Sequence, residues 1–402
     1  MKAAVFHRSG LPLSIETIDD PQPLPSEMIL KVCACGICGT DLHWSEINNA
    51  ESGWRDINPG AVMGHEFSGE VVEVGKEARG GWKVGDRVCA MPQIGCGVCA
   101  NCLAGRPHRC SKVLNRASPG HPGAYSEYTR IGAQETFKLP DHISFQEGAL
   151  VEPLAVGLHA VRRALLKAGD NVLIIGGGPV GLSVALWCKF FGARHIIVSD
   201  LVKTRADQAV KFGATAAIDA SKEDVSESFF IEAGSHPSVI FDAVGVAGSM
   251  QLAIDYAPNY SRVVVVGLCM VSDSFQPAMA VVKEVDISFC FCYDRSDFEM
   301  TLDMLAQNRI DTKGLVTKSI NLEDFPQAFE DLKKPSDQIK VMLEPFLSDG
   351  IQIFKNYNGF NASRMQQDAV FDYVIKRLFA GRLLWRLKDR KRLFQVGMNG
   401  TP

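Results

Sequence analysis

The stretch NVLIIGGGPVGL, residues 171–182, decides the fold. Val172 to Ile175 is an unbroken apolar run, as in a strand covered on both faces of a parallel sheet. Gly176, Gly178 and Gly181 follow as GxGxxG, with Pro179 and Val180 opening an apolar helix that runs to about Gly192. The pattern has weight only in this context, strand before and helix after. Its first glycine permits a tight turn, its second lets backbone approach a pyrophosphate, and its third lets helix and strand pack closely, while the helix N-terminus holds the phosphates. We therefore expect Gly176, Gly178, Val180 and Gly181 to contact a dinucleotide. About 20 residues on, HIIVSD ends in Asp200, where a carboxylate can accept hydrogen bonds from both adenosine ribose hydroxyls. That carboxylate would repel a 2′-phosphate, which favours NAD over NADP. Arg205 could stack on adenine or offset such a phosphate.

Working outward, NVLIIGGG, HIIVSD, SVIFDAV and RVVVVGL alternate with helical stretches, which predicts a doubly wound parallel sheet. Before about residue 150 the texture differs: MILKVCACGIC, FSGEVVEVG and DRVCAMP are short β-rich runs punctuated by Gly and Pro. Past about 290 mixed segments return and close with QIKVMLEP at 338–345, which could rejoin the first part. A length of 402 residues suits two cores better than one. The sequence predicts an α/β protein in which the sheet domain is inserted into a β-rich domain.

Composition is that of a folded, globular chain, with 46% hydrophobic and 22% charged residues. No apolar run approaches the roughly 20 residues a bilayer demands. The N-terminus MKAAVFHRSGLPLSIE alternates like an opening strand, unlike a signal peptide, so a cytoplasmic protein is expected. The net charge of −4 is uneven: residues 346–402 hold ten Lys/Arg against four Asp, a +6 segment beside a −10 body.

Four of the twelve cysteines, Cys96, Cys99, Cys102 and Cys110, crowd into CGVCANCLAGRPHRC. That spacing lets a turning loop aim four thiolates at one tetrahedral ion and leaves no open position, which makes the site structural. Zinc fits better than an iron–sulfur cluster, since no other feature suggests electron transfer. His108 beside it reads as a loop residue. A dispersed set comprises Cys38 in CGICGTDLH, His65 and Glu66 in GHEFSGE, and Glu152 in VEPLAVGLHA. Mixed N, O and S ligands suit a catalytic zinc with a position open to a substrate oxygen. Taken singly, Cys38 reads as a buried thiol, His65 as a core histidine and Glu152 as a helix-start residue; composition alone does not join them.

Together CGICGTDLH, GHEFSGEVVEVG, the four-cysteine loop, VEPLAVGLHA and GGGPVG make residues 1–345 resemble the zinc-containing medium-chain alcohol dehydrogenases. The Glu in VEP makes them similar to the polyol, threonine and butanediol dehydrogenase branch, which uses NAD. The resemblance implies a GroES-like catalytic domain at 1–152, completed by 292–345, a Rossmann NAD-binding domain at 153–291, and two zinc ions per chain. It implies that Cys38 and His65 bind the catalytic zinc, with Glu66 and Glu152 sharing the remaining ligand role. By the same resemblance Thr40 would take the substrate hydroxyl's proton and pass it through the cofactor ribose to His43. Asp41 would orient the ring of His65. Gly267 and Leu268 would meet the nicotinamide half, and the enzyme would be a homodimer or homotetramer. The other seven cysteines are assigned no chemistry.

Sorbitol-type members hold their substrate with an Arg-Tyr pair, whereas here the stretch reads SFCFCYDRSDF and the Arg position is Cys292. Losing that charge-assisted donor disfavours a long polyol, and Trp44 beside His43 adds a bulky wall. A vicinal diol or simple secondary alcohol is expected, oxidised reversibly to its ketone; sorbitol-type polyols and threonine are the alternatives. The extension 346–402 is basic and helix-prone, with Phe371, Val374, Ile375 and Leu378 on one face and Lys376 and Arg377 off it. Docking on the protein itself, or contact with a membrane surface or acidic partner through Lys388, Arg390, Lys391 and Arg392, are its expected roles. Two rival classes are a zinc-free quinone reductase or cofactor-binding regulatory module on the same fold, which would keep the glycine turn but need none of Cys38, His65 or Glu152, and a recruited cofactor-binding protein acting through that tail. Nucleic acid is not an expected partner.

Overall fold

A computed structural model describes residues 1–46, 57–114, 121–334 and 336–347. The basic extension, including the helical face and cluster named above, lies outside the described residues from 348 onward.

The first part of the chain is β-rich. It comprises β1 (Lys2–Phe6), β2 (Ser14–Thr17), β3 (Glu27–Gly36), β4 (Ala61–Val62), β5 (Glu66–Val74), β6 (Arg87–Ala90), β7 (Tyr128–Gly132) and β8 (Thr136–Lys138). Helix α1 (Gly39–Glu46) follows β3 directly, and the one-turn α2 (Ala100–Leu103) sits inside the four-cysteine loop. In the larger sheet β3 pairs antiparallel with β5, and its other edge is shared between β7 and the late strand β16 (Lys340–Leu343). The expected return of QIKVMLEP is therefore a strand pairing, with Met342 opposite Gly36 and Leu343 opposite Cys35.

Helix α3 (Phe145–Arg163) then leads to the second sheet. It starts with a capping box, in which Ser144 and Glu147 satisfy each other's backbone amides. Twelve of its nineteen residues are buried, so it is covered nearly all round, as a helix between two layers must be. One apolar cluster runs through it, from Ala34, Cys89 and Phe137 on the first side to Val172, Trp187 and Val264 on the second.

The second sheet has the order β11-β10-β9-β12-β13-β14, all parallel: β9 (Asn171–Ile175), β10 (His195–Asp200), β11 (Ala216–Asp219), β12 (Val239–Asp242), β13 (Arg262–Val265) and β14 (Asp286–Phe289). The chain starts in the middle, builds one wing, then crosses to build the other. The switch falls between β9 and β12, where ligands bind at the carboxyl ends of strands in such folds. Helix α4 (Pro179–Phe190) leaves that point, followed in the chain by α5 (Lys203–Gln208), α6 (Val225–Ala233), α7 (Ser249–Tyr256) and α8 (Pro277–Val282). The segment α9 (Arg295–Ala306), β15 (Val316–Ile320), α10 (Phe325–Asp331) and β16 completes the first part.

Candidate active site and metal centres

The glycine turn has the geometry its spacing predicts. Gly176 adopts φ +100°, which side chains rarely tolerate. A Cβ on Gly181 would stand 1.9 Å from the Gly176 carbonyl oxygen, so only glycine lets α4 pack this close to β9. Nothing lies within 4 Å of the direction a Cβ on Gly178 would take, and Gly178 and Val180 line the half-open mouth of the turn. Asp200 accepts from the Gly177 N–H at 2.8 Å and the Val202 N–H at 2.7 Å, one on each oxygen. A carboxylate offers about four acceptor positions, so capacity for a ribose remains. Arg205 donates its Nε to the Ser336 carbonyl at 2.9 Å. Gly267 is packed on the turn after β12, its Cβ position only 2.2 Å from the Gly245 nitrogen, with Leu268 partly exposed beside it.

The four thiols of Cys96, Cys99, Cys102 and Cys110 have their sulfurs within 4.8 Å of one another. Backbone amides point at them: the Cys96 N–H donates to Cys110 Sγ at 3.5 Å and the Lys112 N–H at 3.3 Å. The amides of Val98 and Cys99 pull the Cys96 thiol down to about 6, whereas burial pushes the Cys102 thiol up to about 12. The lobe is anchored by Arg106, whose Nε contacts both oxygens of Asp294, and by the Arg295 N–H to the Gly105 carbonyl. His108 is half-buried against Phe291, which accounts for it without chemistry.

A second group draws together Cys38, His65 and Glu66, again with ligand atoms within 4.8 Å. Cys38 stands between the end of β3 and α1, and His65 and Glu66 where β5 begins beside it. Asp41 Oδ2 is 3.1 Å from His65 Nδ1 and accepts from the Tyr125 hydroxyl at 2.8 Å. Asp41 and Tyr125 are both fully buried, and burial followed by the Asp41 charge holds the Tyr125 hydroxyl well above its usual range.

Glu152 is not among the three grouped ligands, but it is buried close enough to interact with them. Burial pushes its carboxyl up to about 7 and the Glu66 charge adds to this, against His65, Tyr293 and Lys340. Pro153 follows it inside α3. Thr40 is half-buried on α1 and His43 is exposed three positions on, on the same helix face. Trp44 packs partly buried against the core of the first part. The Cys292 thiol is met by the Gln93 amide at 3.9 Å.

Sequence reasoning missed Lys340, which is 2% exposed and pairs with Glu66. A lone lysine inside the apolar run QIKVML was the available signal. It also missed Tyr125 and Tyr293, both buried aromatic residues whose hydroxyls act on Asp41 and on Glu152.

A dinucleotide turn at the switch point of a parallel sheet, beside a Cys/His/Glu group and a separate thiolate cage, defines a metal- and nucleotide-linked oxidoreductase. Residues 24–141 match the alcohol dehydrogenase GroES-like domain and residues 179–307 the zinc-binding dehydrogenase domain. Sorbitol dehydrogenase of Bacillus subtilis is 35% identical over 348 residues, covering 86% of this chain and 97% of its own. The structure of 2R,3R-butanediol dehydrogenase from Bacillus subtilis superposes with a TM-score of 0.74 at 33% identity, over 86% of this chain and 99% of that one. A zinc-binding dehydrogenase from Sinorhizobium meliloti bound to NADP gives 0.75 at 29% identity, over 86% and 99%. The chain belongs to the zinc-containing medium-chain alcohol dehydrogenase family, in its polyol-like branch, and is an oxidoreductase with a GroES-like and a Rossmann domain. Among the described residues no helix is long and apolar enough to cross a membrane.

Proposed function

We propose that this enzyme oxidises a secondary alcohol or vicinal diol of butanediol type to the ketone, reversibly, with NAD and two zinc ions per chain. The observation that carries the reading is the convergence of Cys38, His65 and Glu66 within 4.8 Å, with Asp41 on the far ring nitrogen of His65. Mixed S, N and O donors with a carboxylate behind the histidine are the donor set of a catalytic zinc. With Nδ1 engaged by Asp41, ligation falls to Nε2 of His65. Glu66 and Glu152 share the remaining ligand role, and Cys96, Cys99, Cys102 and Cys110 hold the structural ion. When bound, zinc lowers the pKa of an alcohol hydroxyl and the nicotinamide accepts the hydride.

Thr40 would accept a hydrogen bond from the substrate hydroxyl and hand its own proton on, through the ribose of a bound cofactor, to His43, which is exposed one turn along α1 and can release it to solvent. Gly176, Gly178, Val180 and Gly181 hold the pyrophosphate, Asp200 the ribose, and Gly267 and Leu268 the nicotinamide half. Asp200, which has acceptor capacity left for the ribose hydroxyls and would repel a 2′-phosphate, supports NAD over the NADP bound by the Sinorhizobium relative. Cys292, without a charged donor, supports a compact substrate. The sorbitol dehydrogenase relatives favour a polyol as the second reading.

A homodimer or homotetramer is part of this reading. It is supported by the open edge of the parallel sheet, where Phe289 on β14 is 65% exposed and Val281 and Val282 on α8 more so.

The deciding test is NADH formation at 340 nm by protein of known zinc content, across butanediols, simple secondary alcohols, sorbitol and threonine. Turnover on the diols that disappears in Cys38→Ser is the expected result. Preference for sorbitol would shift the substrate to polyols, and protein without zinc would overturn the mechanism.

A further inference from the structure

Gln93 lies three residues past the end of β6, and the Cys292 it meets lies 199 positions on, where the chain returns from the nucleotide-binding part. Gln93 Nε2 donates to the Cys292 sulfur at 3.9 Å, a long contact to a weak acceptor that engages only one end of the amide. The other end, Oε1, is buried, and among the described residues nothing donates to it. A buried carbonyl without a donor is costly, so one that persists in a fold calls for a ligand or a water to complete it. The residue as a whole is half-buried, so the amide sits at the boundary of protein and solvent and is not locked in a core.

This boundary adjoins the candidate metal group. Tyr293, next to Cys292 and 1% exposed, has its hydroxyl held well above its usual range by burial, then by Glu152, with Cys292 and Glu66 adding to the effect. The segment that carries Cys292 thus reaches the carboxylates beside Cys38 and His65. Cys292 itself holds φ +54°, a left-handed conformation that side chains rarely adopt and that persists where the surroundings impose it. On its other side Phe291 packs against His108 and lies under Arg109. The backbone is held on both sides of Cys292, and with it the position of the thiol that meets the amide.

We propose that the Gln93 amide determines specificity by taking the second hydroxyl of a vicinal diol whose first hydroxyl reacts at the Cys38 group. The proposal rests on the reading of that group as the reacting centre of an alcohol dehydrogenase. A hydroxyl both donates and accepts, so it completes whichever end of the amide the thiol leaves unserved. A simple alcohol of the same skeleton leaves the amide incomplete, and a site built to bond a hydroxyl discriminates against the analogue that lacks it. A glutamine that only fastened the returning segment to β6 would alter stability and affect both alcohols alike.

The test compares 2,3-butanediol with 2-butanol, which share a carbon skeleton and differ by one hydroxyl, using full-length protein of known zinc content with NAD. Wild-type protein should prefer the diol in kcat/KM. In Gln93→Leu we expect the ratio of the two kcat/KM values to fall about tenfold, through the KM of the diol and not its kcat. Gln93→Met, which keeps the length of the side chain and removes the amide, carries the same expectation and decides the matter if Gln93→Leu does not fold. Wild-type protein that oxidises both alcohols without preferring the diol overturns the proposal with no variant needed. A ratio in either variant equal to wild type, or a fall confined to kcat, also overturns it. Wild-type protein with two zinc ions per chain that oxidises no alcohol would instead sink the dehydrogenase reading of the site, and the proposal with it.

Discussion

In the four-cysteine loop every candidate ligand lies between Cys96 and Cys110, whereas the Cys38 centre draws on the end of β3, the start of β5, helix α3 and, through Lys340, strand β16. The loop closes over a few residues, so the chain entropy lost in gathering its thiols is small and the ion can organise it locally. The Cys38 centre exists only after β3, β5 and β16 have joined one sheet and α3 has packed on it, and its geometry is held by residues that touch no ligand directly, such as Tyr125 through Asp41. On the proposed reading, a metal in the loop would supply folding energy, and a metal at Cys38 would occupy a site that folding has already shaped. That difference predicts opposite responses to mutation.

The sharpest contrast comes from Cys38→Ser. Turnover should fall about a thousandfold, on the order of 4 kcal/mol in the barrier, with the melting temperature little changed and one zinc lost per chain. A large fall in melting temperature would erase the distinction. Cys102→Ser should do the reverse, costing about 3 kcal/mol of stability as the loop loses its ion, while zinc at the Cys38 centre remains. Metal analysis beside thermal unfolding checks both.

Asp41→Asn tests whether the dispersed centre depends on its surroundings. Loss of the carboxylate behind His65 should cost about 10- to 100-fold in zinc affinity, measured by chelator competition, with the four-cysteine ion unmoved.

A smaller effect probes how α3, which carries Glu152, is held. Asp297 is 1% exposed and bonds His159 Nδ1 at 2.8 Å and the Arg162 guanidinium, joining α9 to α3. Burial raises its pKa, but His159, the Asp294 amide and Arg162 outweigh burial and hold it below the usual carboxylate range. A depressed folded-state pKa means stability that is present above the unfolded value near 3.9 and lost as pH falls through the lower folded value. Asp297→Asn should therefore cost about 1–2 kcal/mol at pH 7 and progressively less toward pH 3, read from urea midpoints. A gap independent of pH would remove the ion pairing from the account.

Much of this was legible in order along the chain. NVLIIGGGPVGL is strand, turn and helix at 171–190, and MILKVCACGIC, FSGEVVEVG and QIKVMLEP each hold a strand of the first part. The candidate ligands Cys38, His65 and Glu66 were nameable because Gly and Pro mark their tight backbone, although only the resemblance joined them. Lys340 was not legible as a site residue: its partner is 274 positions away, and a lysine in a strand reads equally well as an edge charge. Nor could spacing say that Arg205 would turn to Ser336, 131 positions on.

By itself the sequence determined what depends on near neighbours. These are the strand–turn–helix that binds a dinucleotide, the thiolate loop, and the alternation that makes a parallel sheet, all of which follow from local backbone geometry and periodicity. Only the tertiary structure decided which of two glutamates sits with Cys38 and His65, and that a buried lysine from the returning strand holds it. Distances across a fold are set by how α3 and the sheets pack, and packing is a property of all the contacts together, not of any stretch of chain.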